Sequence, residues 1–350
     1  MTGSPPPGSP LAPACAVTLG GQRWTSQALD VDVLLAAAPL VGTARARLPA
    51  GAPVEAAPGD SVVVELDSGE AAATVFTGTV SAVRREFGAT VVTAVDAAGA
   101  LARYRPATTY EKVNAGTVIR ALAADVGVGV GAVDDGVALA FYVADPARTA
   151  LDHVARLAAW SAALVRVDAE GNLIATAVGA LQADLAPRYG REVLALAQTT
   201  HGRDVEAFTV AGEAGAGSTS APEALRPTSD FFAGRRPNGP DATHRWRFEP
   251  ALRTTGAGGT AGAATEWRYR AGRRTGSITM FPQPALRPGS VIEVADPPDP
   301  LVRGPFWLDR VRHRFGAAGA YTTARWRTGG PAFSPLAAVA GSAASGRLGG

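Results

Sequence analysis

Short apolar runs separated by glycine, proline and aspartate fill residues 15–100: CAVTLGG, DVDVLLAA, DSVVVELDSG, TVFTGTVSAV and ATVVTAVDA. Runs of this length between turn formers are the pattern of strands in a small barrel or sandwich. In Ser61–Asp67, Val62, Val64 and Leu66 fall on one parity and Val63, Glu65 and Asp67 on the other, which reads as a half-buried strand. The period changes near residue 115. Val118, Ile119, Leu122, Ala123 and Val126 recur at helical spacing, and Gly127 stands where a helix would be capped. A second helix is predicted from Asp145-Pro146, an N-cap carboxylate followed by proline in the first turn. Its apolar stripe is Leu151, Val154, Ala155, Leu157 and Ala158. LVRVD at 164–168 and LIATAV at 173–178 form a hairpin, with Gly171 free to take the positive φ of its turn.

β texture returns at 204–211 (DVEAFTVA). The stretches 213–227 and 254–265 have linker composition and read as long loops that order against a neighbour. Strands are expected to resume at EWRYR (266–270) and to run on to residue 328. The expected organisation is a mobile N-terminus (1–14), a first β-barrel (15–100), an α/β insert (101–200), a second β-barrel with long loops (201–330) and a flexible tail (331–350). The fold class is mainly β with an α/β insert.

One segment occurs twice. Pro58-Gly59-Asp60-Ser61-Val62-Val63-Val64-Glu65 is echoed by Pro288-Gly289-Ser290-Val291-Ile292-Glu293-Val294, and Val83-Arg84-Arg85-Glu86-Phe87-Gly88-Ala89 by Val311-Arg312-His313-Arg314-Phe315-Gly316-Ala317. The proline-to-valine spacing is 25 residues in the first copy and 23 in the second. A Pro-Gly turn before a strand is common, but both halves in the same order at nearly the same spacing indicate duplication of a small β-barrel. Each copy closes with a further strand, VVTAVDA at 91–97 and YTTARWR at 321–327. In the late copy Val311, His313 and Phe315 share one parity and Arg310, Arg312 and Arg314 the other. One face of that strand is therefore strongly basic, facing solvent or lining a pore.

Composition removes several alternatives. A formal charge of +2 over 350 residues shows no basic surplus of the kind a duplex nucleic-acid binder carries, and Arg235–Arg236 and Arg273–Arg274 read as solvated loops. Lys112 is the only lysine, and the alanine and arginine bias reads as base composition. Cys15 is the only cysteine, so neither an intrachain disulfide nor a thiolate metal cluster can form. His153, His201, His244 and His313 are dispersed, His153 being expected at an exposed or edge position and His313 as a hydrogen-bonded histidine inside the barrel. No signal peptide or membrane-length apolar run is present, so a protein folding in the cytoplasm is expected. No nucleophile elbow, HExxH or P-loop occurs, and no catalytic, cofactor-binding or metal-binding residues are assigned. Asp96, Asp134 and Asp135 are carboxylates a glycosidase would recruit, although Asp134-Asp135-Gly136 reads as a polar turn. The six tryptophans read as anchors of cores and interfaces.

Three segments carry a family resemblance: FTGTVSAVRREFG with the following VDAAGALARYRPATTYEKVNAGTVIRALAADVGV, then DPARTALDHVARLAAWSAALVRVDAEGNLIATAV, then LRPGSVIEVADP with GPFWLDRVRHRFGAAGAYTTARWR. Over residues 15–330 the chain resembles the baseplate hub family: phage late-control D proteins, contractile-phage tail hubs, and the hub half of type VI secretion spikes and contractile injection systems. The resemblance implies a homotrimer with two tudor-like split barrels per chain and a central channel, a pseudo-sixfold ring between a sixfold tail tube and a threefold spike. The chain departs from spike-fused members in ending at a small-residue tail, so the expected partners are a tail tube protein, a separate spike protein and other baseplate components, without a specific nucleic acid or a membrane. Arg310, Arg312 and Arg314 are the expected channel or interface face. A tail-associated protein that binds or degrades peptidoglycan is the alternative.

Overall fold

A computed structural model of the chain describes residues 13–25, 28, 30–51, 54–178, 182–202, 207–212 and 244–328. The expected mobile ends (apart from Pro13 and Ala14), the loop expected at 213–227 and Arg235–Arg236 lie outside the described residues.

The fold is mainly β, with large antiparallel sheets. Seven strands come first: β1 (Ala14–Leu19), β2 (Gln22–Thr25), β3 (Asp30–Ala36), β4 (Thr43–Pro49), β5 (Ser61–Asp67), β6 (Ala72–Glu86) and β7 (Ala89–Val95). Their alternation sets the faces. In β4 the small Ala44 and Ala46 and the larger Leu48 point inward, while Arg45 and Arg47 point out. In β5, Val62, Val64 and Leu66 are buried as the parity requires.

Next come α1 (Ala98–Arg103), β8 (Thr108–Asn114), α2 (Ala115–Ala124), β9 (Val130–Val133), β10 (Ala138–Ala144), α3 (Ala150–Trp160), β11 (Ala163–Val167) and β12 (Leu173–Ala177). Of the expected stripe of α2, Val118, Ile119, Leu122 and Ala123 are buried, while Val126 lies past the helix end and is half-buried. Beyond its end the Val128 amide donates to the Ala123 carbonyl and the Gly127 amide to the Ala124 carbonyl, with Gly127 at φ +69°. That is a Schellman cap, which glycine closes without a Cβ penalty. α3 starts later than Asp145-Pro146 predicted. Its N-cap is Thr149, closed by a reciprocal capping box with Asp152, and Asp145 instead holds the preceding turn through the Ala147 amide. The β11–β12 hairpin turns at Gly171, φ +90°, as expected.

The last elements are β13 (Val193–Thr200), β14 (Ala207–Ala211), β15 (His244–Phe248), α4 (Thr255–Ala271), β16 (Arg274–Met280), β17 (Val291–Ile292), β18 (Phe306–Gly316) and β19 (Gly319–Thr328). Helix α4 corrects two expectations at once: the loop at 254–265 and the strand at 266–270 are one continuous helix. Its four glycines each cost about 1 kcal/mol relative to alanine in a helix interior. Packing outweighs that cost. Thr254 caps the first turn through the Ala257 amide, Ala257, Ala261 and Ala264 are buried, and Gly262 lies so close to β14 that a Cβ there would meet the Phe208 carbonyl oxygen at 3.3 Å.

One antiparallel sheet runs β13-β16-β19-β18-β3-β4-β7-β6-β5-β1-β2, with β17 added beside β18. Both copies of the repeated segment belong to it, joined through β3, which pairs β18 on one side and β4 on the other. A single apolar core spans both, from Val17 and Val64 to Val311 and Trp326. A second core gathers α1–α3 and β10–β12 with Val210, Leu252, Ala257 and Ala261, so β14 and α4 pack with the elements of the expected insert.

Candidate functional site

The repeat is visible atom by atom. In the first copy the Gly59 amide donates to the Val80 carbonyl at 2.9 Å and the Val80 amide to the Asp60 carbonyl at 2.8 Å. In the second, Gly289 donates to Leu308 at 2.7 Å and Leu308 to Ser290 at 2.9 Å. Gly59 and Gly289 share a positive φ, +101° and +94°. The Asp60 carboxylate and the Ser290 hydroxyl each accept from the backbone amide three residues earlier. A register shift follows at once in both copies, between Val80 and Ala82 and between Leu308 and Arg310. Such a bulge bends the strand and re-aims the side chains beyond it.

Beyond the bulge, β18 alternates as read from the sequence. Val311 and His313 are buried; Arg310, Arg312 and Arg314 lie on the other face. Their charge is partly balanced by one residue of β3. Asp32 Oδ1 accepts from Arg312 Nε at 2.7 Å and Oδ2 from Arg314 Nε at 3.2 Å, and Arg314 Nη1 also donates to the Tyr321 hydroxyl at 3.0 Å. Partial burial opposes ionisation of Asp32, but the hydrogen bonds and charges of Arg312 and Arg314 hold its carboxyl below the ordinary carboxylate value.

The basic face is wider than β18. Arg325 and Arg327 on β19 share it, and across β3 it continues to Arg45 and Arg47 on β4 and Arg84 on β6. Asp30 and Asp32 lie between the two arginine groups, and Glu86 pairs with Arg84 and Arg47 at the far end. The sequence reading missed Arg325 and Arg327, although the alternation in YTTARWR, with Thr322, Ala324 and Trp326 buried, carries the signal.

The copies differ at their tips. Phe315 is paired within the β18–β19 hairpin and packs on the core, whereas Phe87 sits in the two-residue turn between β6 and β7 and is fully exposed at 106%. Its parity with Val83 therefore does not carry it inward.

The other singled-out residues are committed elsewhere. His313 is buried, with Nδ1 3.0 Å from Thr322 Oγ1 and Nε2 3.3 Å from the Leu286 carbonyl oxygen; burial pushes its imidazole down to about 4, so it is neutral. His153 is fully buried rather than at an edge, because Nδ1 meets the Tyr142 hydroxyl at 2.7 Å and Nε2 the Asp145 carbonyl at 3.0 Å. Asp96 accepts from the amides of Gly42 and Ala98, both at 3.0 Å; burial pushes its carboxyl up to about 7 against the downward pull of these backbone donors. Asp134 accepts from the Ala177 amide at 2.7 Å and Asp135 pairs with Arg120, with Gly136 at φ +67° completing the expected turn. Burial pushes the Cys15 thiol up to about 12. Among the described residues no group of three His, Cys, Asp or Glu side chains could hold a metal ion, and no helix is long and apolar enough to cross a membrane. Trp24, Trp160, Trp307 and Trp326 are core anchors; Phe306 stacks on Trp326 at 3.8 Å and Trp267 on Trp307 at 6.1 Å between centroids.

No family model matches the sequence, and no curated protein does. Solved structures do. The 43 kDa tail protein of prophage MuSo2 from Shewanella oneidensis superposes with a TM-score of 0.66 at 15% identity, over 90% of this chain and 98% of that one. A tail protein from Neisseria meningitidis gives 0.66 at 15%, over 90% and 96%. The E. coli c3393 protein, a type VI secretion component described as similar to T4 bacteriophage tail proteins, gives 0.59 at 12%, over 91% and 79%. The resemblance read from the sequence thus holds at the level of fold, and the chain has the fold shared by phage tail proteins and a type VI secretion component.

Proposed function

We propose that the chain is the structural hub of a phage-tail-like baseplate. It is a homotrimer whose two copies of one β unit, each a tudor-like split barrel, form a pseudo-sixfold ring between a sixfold tail tube and a threefold spike. The observation that supports this most is the pair of turn–strand–bulge–hairpin units with matching hydrogen bonds inside one chain. Three chains with two such units each would place six similar edges round an axis while keeping threefold chemistry, and repeated head-to-tail contacts close a ring when the rotation allows. The tail and secretion proteins sharing the fold support a tail-associated structural role.

On this reading there is no turnover step. The partners are a tail tube protein, a spike and other baseplate components, without a specific nucleic acid or a membrane, and the chain is made in the cytoplasm before entering the particle. Arg310, Arg312 and Arg314, with Arg325 and Arg327, belong to a face that meets another polypeptide or lines the channel.

Light scattering coupled to size exclusion tests the reading. The expected mass is three times 35.6 kDa. A chain that stays monomeric at every concentration and binds or digests purified peptidoglycan would replace the hub with the cell-wall-directed alternative.

A further inference from the structure

A crevice of about 250 Å³ opens where the residues after β3 meet β11, α4 and the β18–β19 hairpin. Its back is apolar, with Pro39, Leu164, Val178 and Trp307 among the lining. Its charged lining is lopsided: among the described residues Arg268, Arg310, Arg325 and Arg327 face a single carboxylate, Asp309. That carboxylate is already engaged, since its Oδ2 accepts from Arg327 Nε at 2.7 Å.

Three observations show an unmet demand for negative charge. Arg310 and Arg325 stand directly opposite each other in the β18–β19 register, an arrangement of like charges that destabilises a strand pair. Among the described residues neither has an ion-pair partner. Arg268 donates to the Ala163 carbonyl at 2.8 Å, and its guanidinium is pushed down to about 10, first by burial and then by the charges of Arg327 and Arg247. Among the described residues the buried indole N–H of Trp307, in the same wall, has no acceptor.

Planar guanidinium groups favour carboxylates because two parallel hydrogen bonds can form at once. We propose that this crevice is an anion site that takes a carboxylate, presented by a glutamate or aspartate side chain of a neighbouring polypeptide. The apolar back accommodates the stem of the side chain, and the carboxylate lies between Arg310 and Arg325 at the mouth and Arg268 further in. The surrounding basic face favours approach of an acidic surface.

The stacked Trp267–Trp307 pair provides a fluorescence readout for the full-length protein. Three probes are titrated: the capped tripeptide acetyl-Leu-Glu-Leu-amide, its glutamine analogue and inorganic phosphate. The glutamate peptide is expected to bind at least about ten-fold more tightly than the other two. Arg310→Gln and Arg325→Gln should each weaken its binding by about ten-fold, while leaving thermal stability unchanged or slightly raised because a like-charge pair is relieved. Equal binding of the glutamine peptide would overturn the proposal, as would unchanged binding by either arginine variant. Phosphate binding as tight as the glutamate peptide would reassign the site to oxyanions in general and overturn the carboxylate assignment. None of these outcomes depends on the mass measurement, so a failure of the hub reading and a failure of the anion site remain distinguishable.

Discussion

Asp96 predicts an unusual dependence of stability on pH. Its carboxyl is 6% exposed, faces no cation among the described residues, and is pushed up from 3.8 to about 7 in the folded chain. An acid whose folded value lies above its unfolded one is bound to its proton more tightly in the native state. Below pH ~4 both states are protonated and the group contributes no penalty. As pH rises from ~4 towards 7 the unfolded chain ionises first, so stability falls, and it levels off above the folded value. At about 1.4 kcal/mol per pKa unit, the full loss is about 4 kcal/mol. Asp96→Asn isolates the effect because it cannot titrate. The variant has its own constant cost, on the order of 1–3 kcal/mol, since its amide group turns a donor towards a backbone N–H that had an acceptor. The assay is urea unfolding of both proteins from pH 4 to 8, followed by tryptophan fluorescence. Wild type minus variant should decline sigmoidally through pH 4–7, so the wild type loses its advantage as pH rises. A difference that is flat over this range, or that grows with pH, would refute the reasoning.

Trp326→Ala removes a wholly buried ring stacked on Phe306 and should cost about 3–5 kcal/mol, read as a fall in the urea midpoint. Gly59→Ala and Gly289→Ala both force alanine to a positive φ and should each cost about 1 kcal/mol or more. Gly289 should be the worse, because its Cβ would also meet the Arg166 guanidinium at 3.3 Å whereas Gly59 faces open space. Asp32→Asn frees two arginines but should lower stability by less than about 1 kcal/mol at low salt, with the difference shrinking at high salt, since both partners are more than a third exposed. Phe87→Ser should leave the stability of the isolated chain almost unchanged, within about 0.5 kcal/mol, because the side chain is fully exposed.

What could be read from the sequence was mostly local. The Pro-Gly turn, the strand parity and the hairpin spacing are short-range features, and the two copies share them down to the same backbone hydrogen bonds. The α2 stripe and the Gly171 hairpin are equally local. Thr149-x-x-Asp152 is an equally local signal and marks the start of α3 better than Asp145-Pro146 does. Helix α4 was not legible from composition, since glycines at 256, 258, 259 and 262 argue against a helix, and what reverses them is tertiary: the burial of Ala257, Ala261 and Ala264 and the close approach of Gly262 to β14. The burial of His153 depends on Tyr142, from β10, which no helical stripe reveals. The crevice was invisible for a related reason: Arg268, Arg310 and Arg325 come from three elements that meet only in the folded chain.

The pairing of β3 with β18 has a consequence in time. Asp32 and Arg312 are 280 positions apart, so at about 5–20 residues per second β3 leaves the ribosome roughly 15–55 s before its partner exists. Through that interval β3 has β4 on one side and a bare row of amide and carbonyl groups on the other, an invitation to the wrong neighbour. A truncated product that stops before residue 306 keeps that row open, lacks Arg310, Arg312, Arg314, Arg325 and Arg327, and cannot form the joint core. Strands β18 and β19 thus act as a check on completeness, since the basic face is finished only in a chain that has been translated through Arg327.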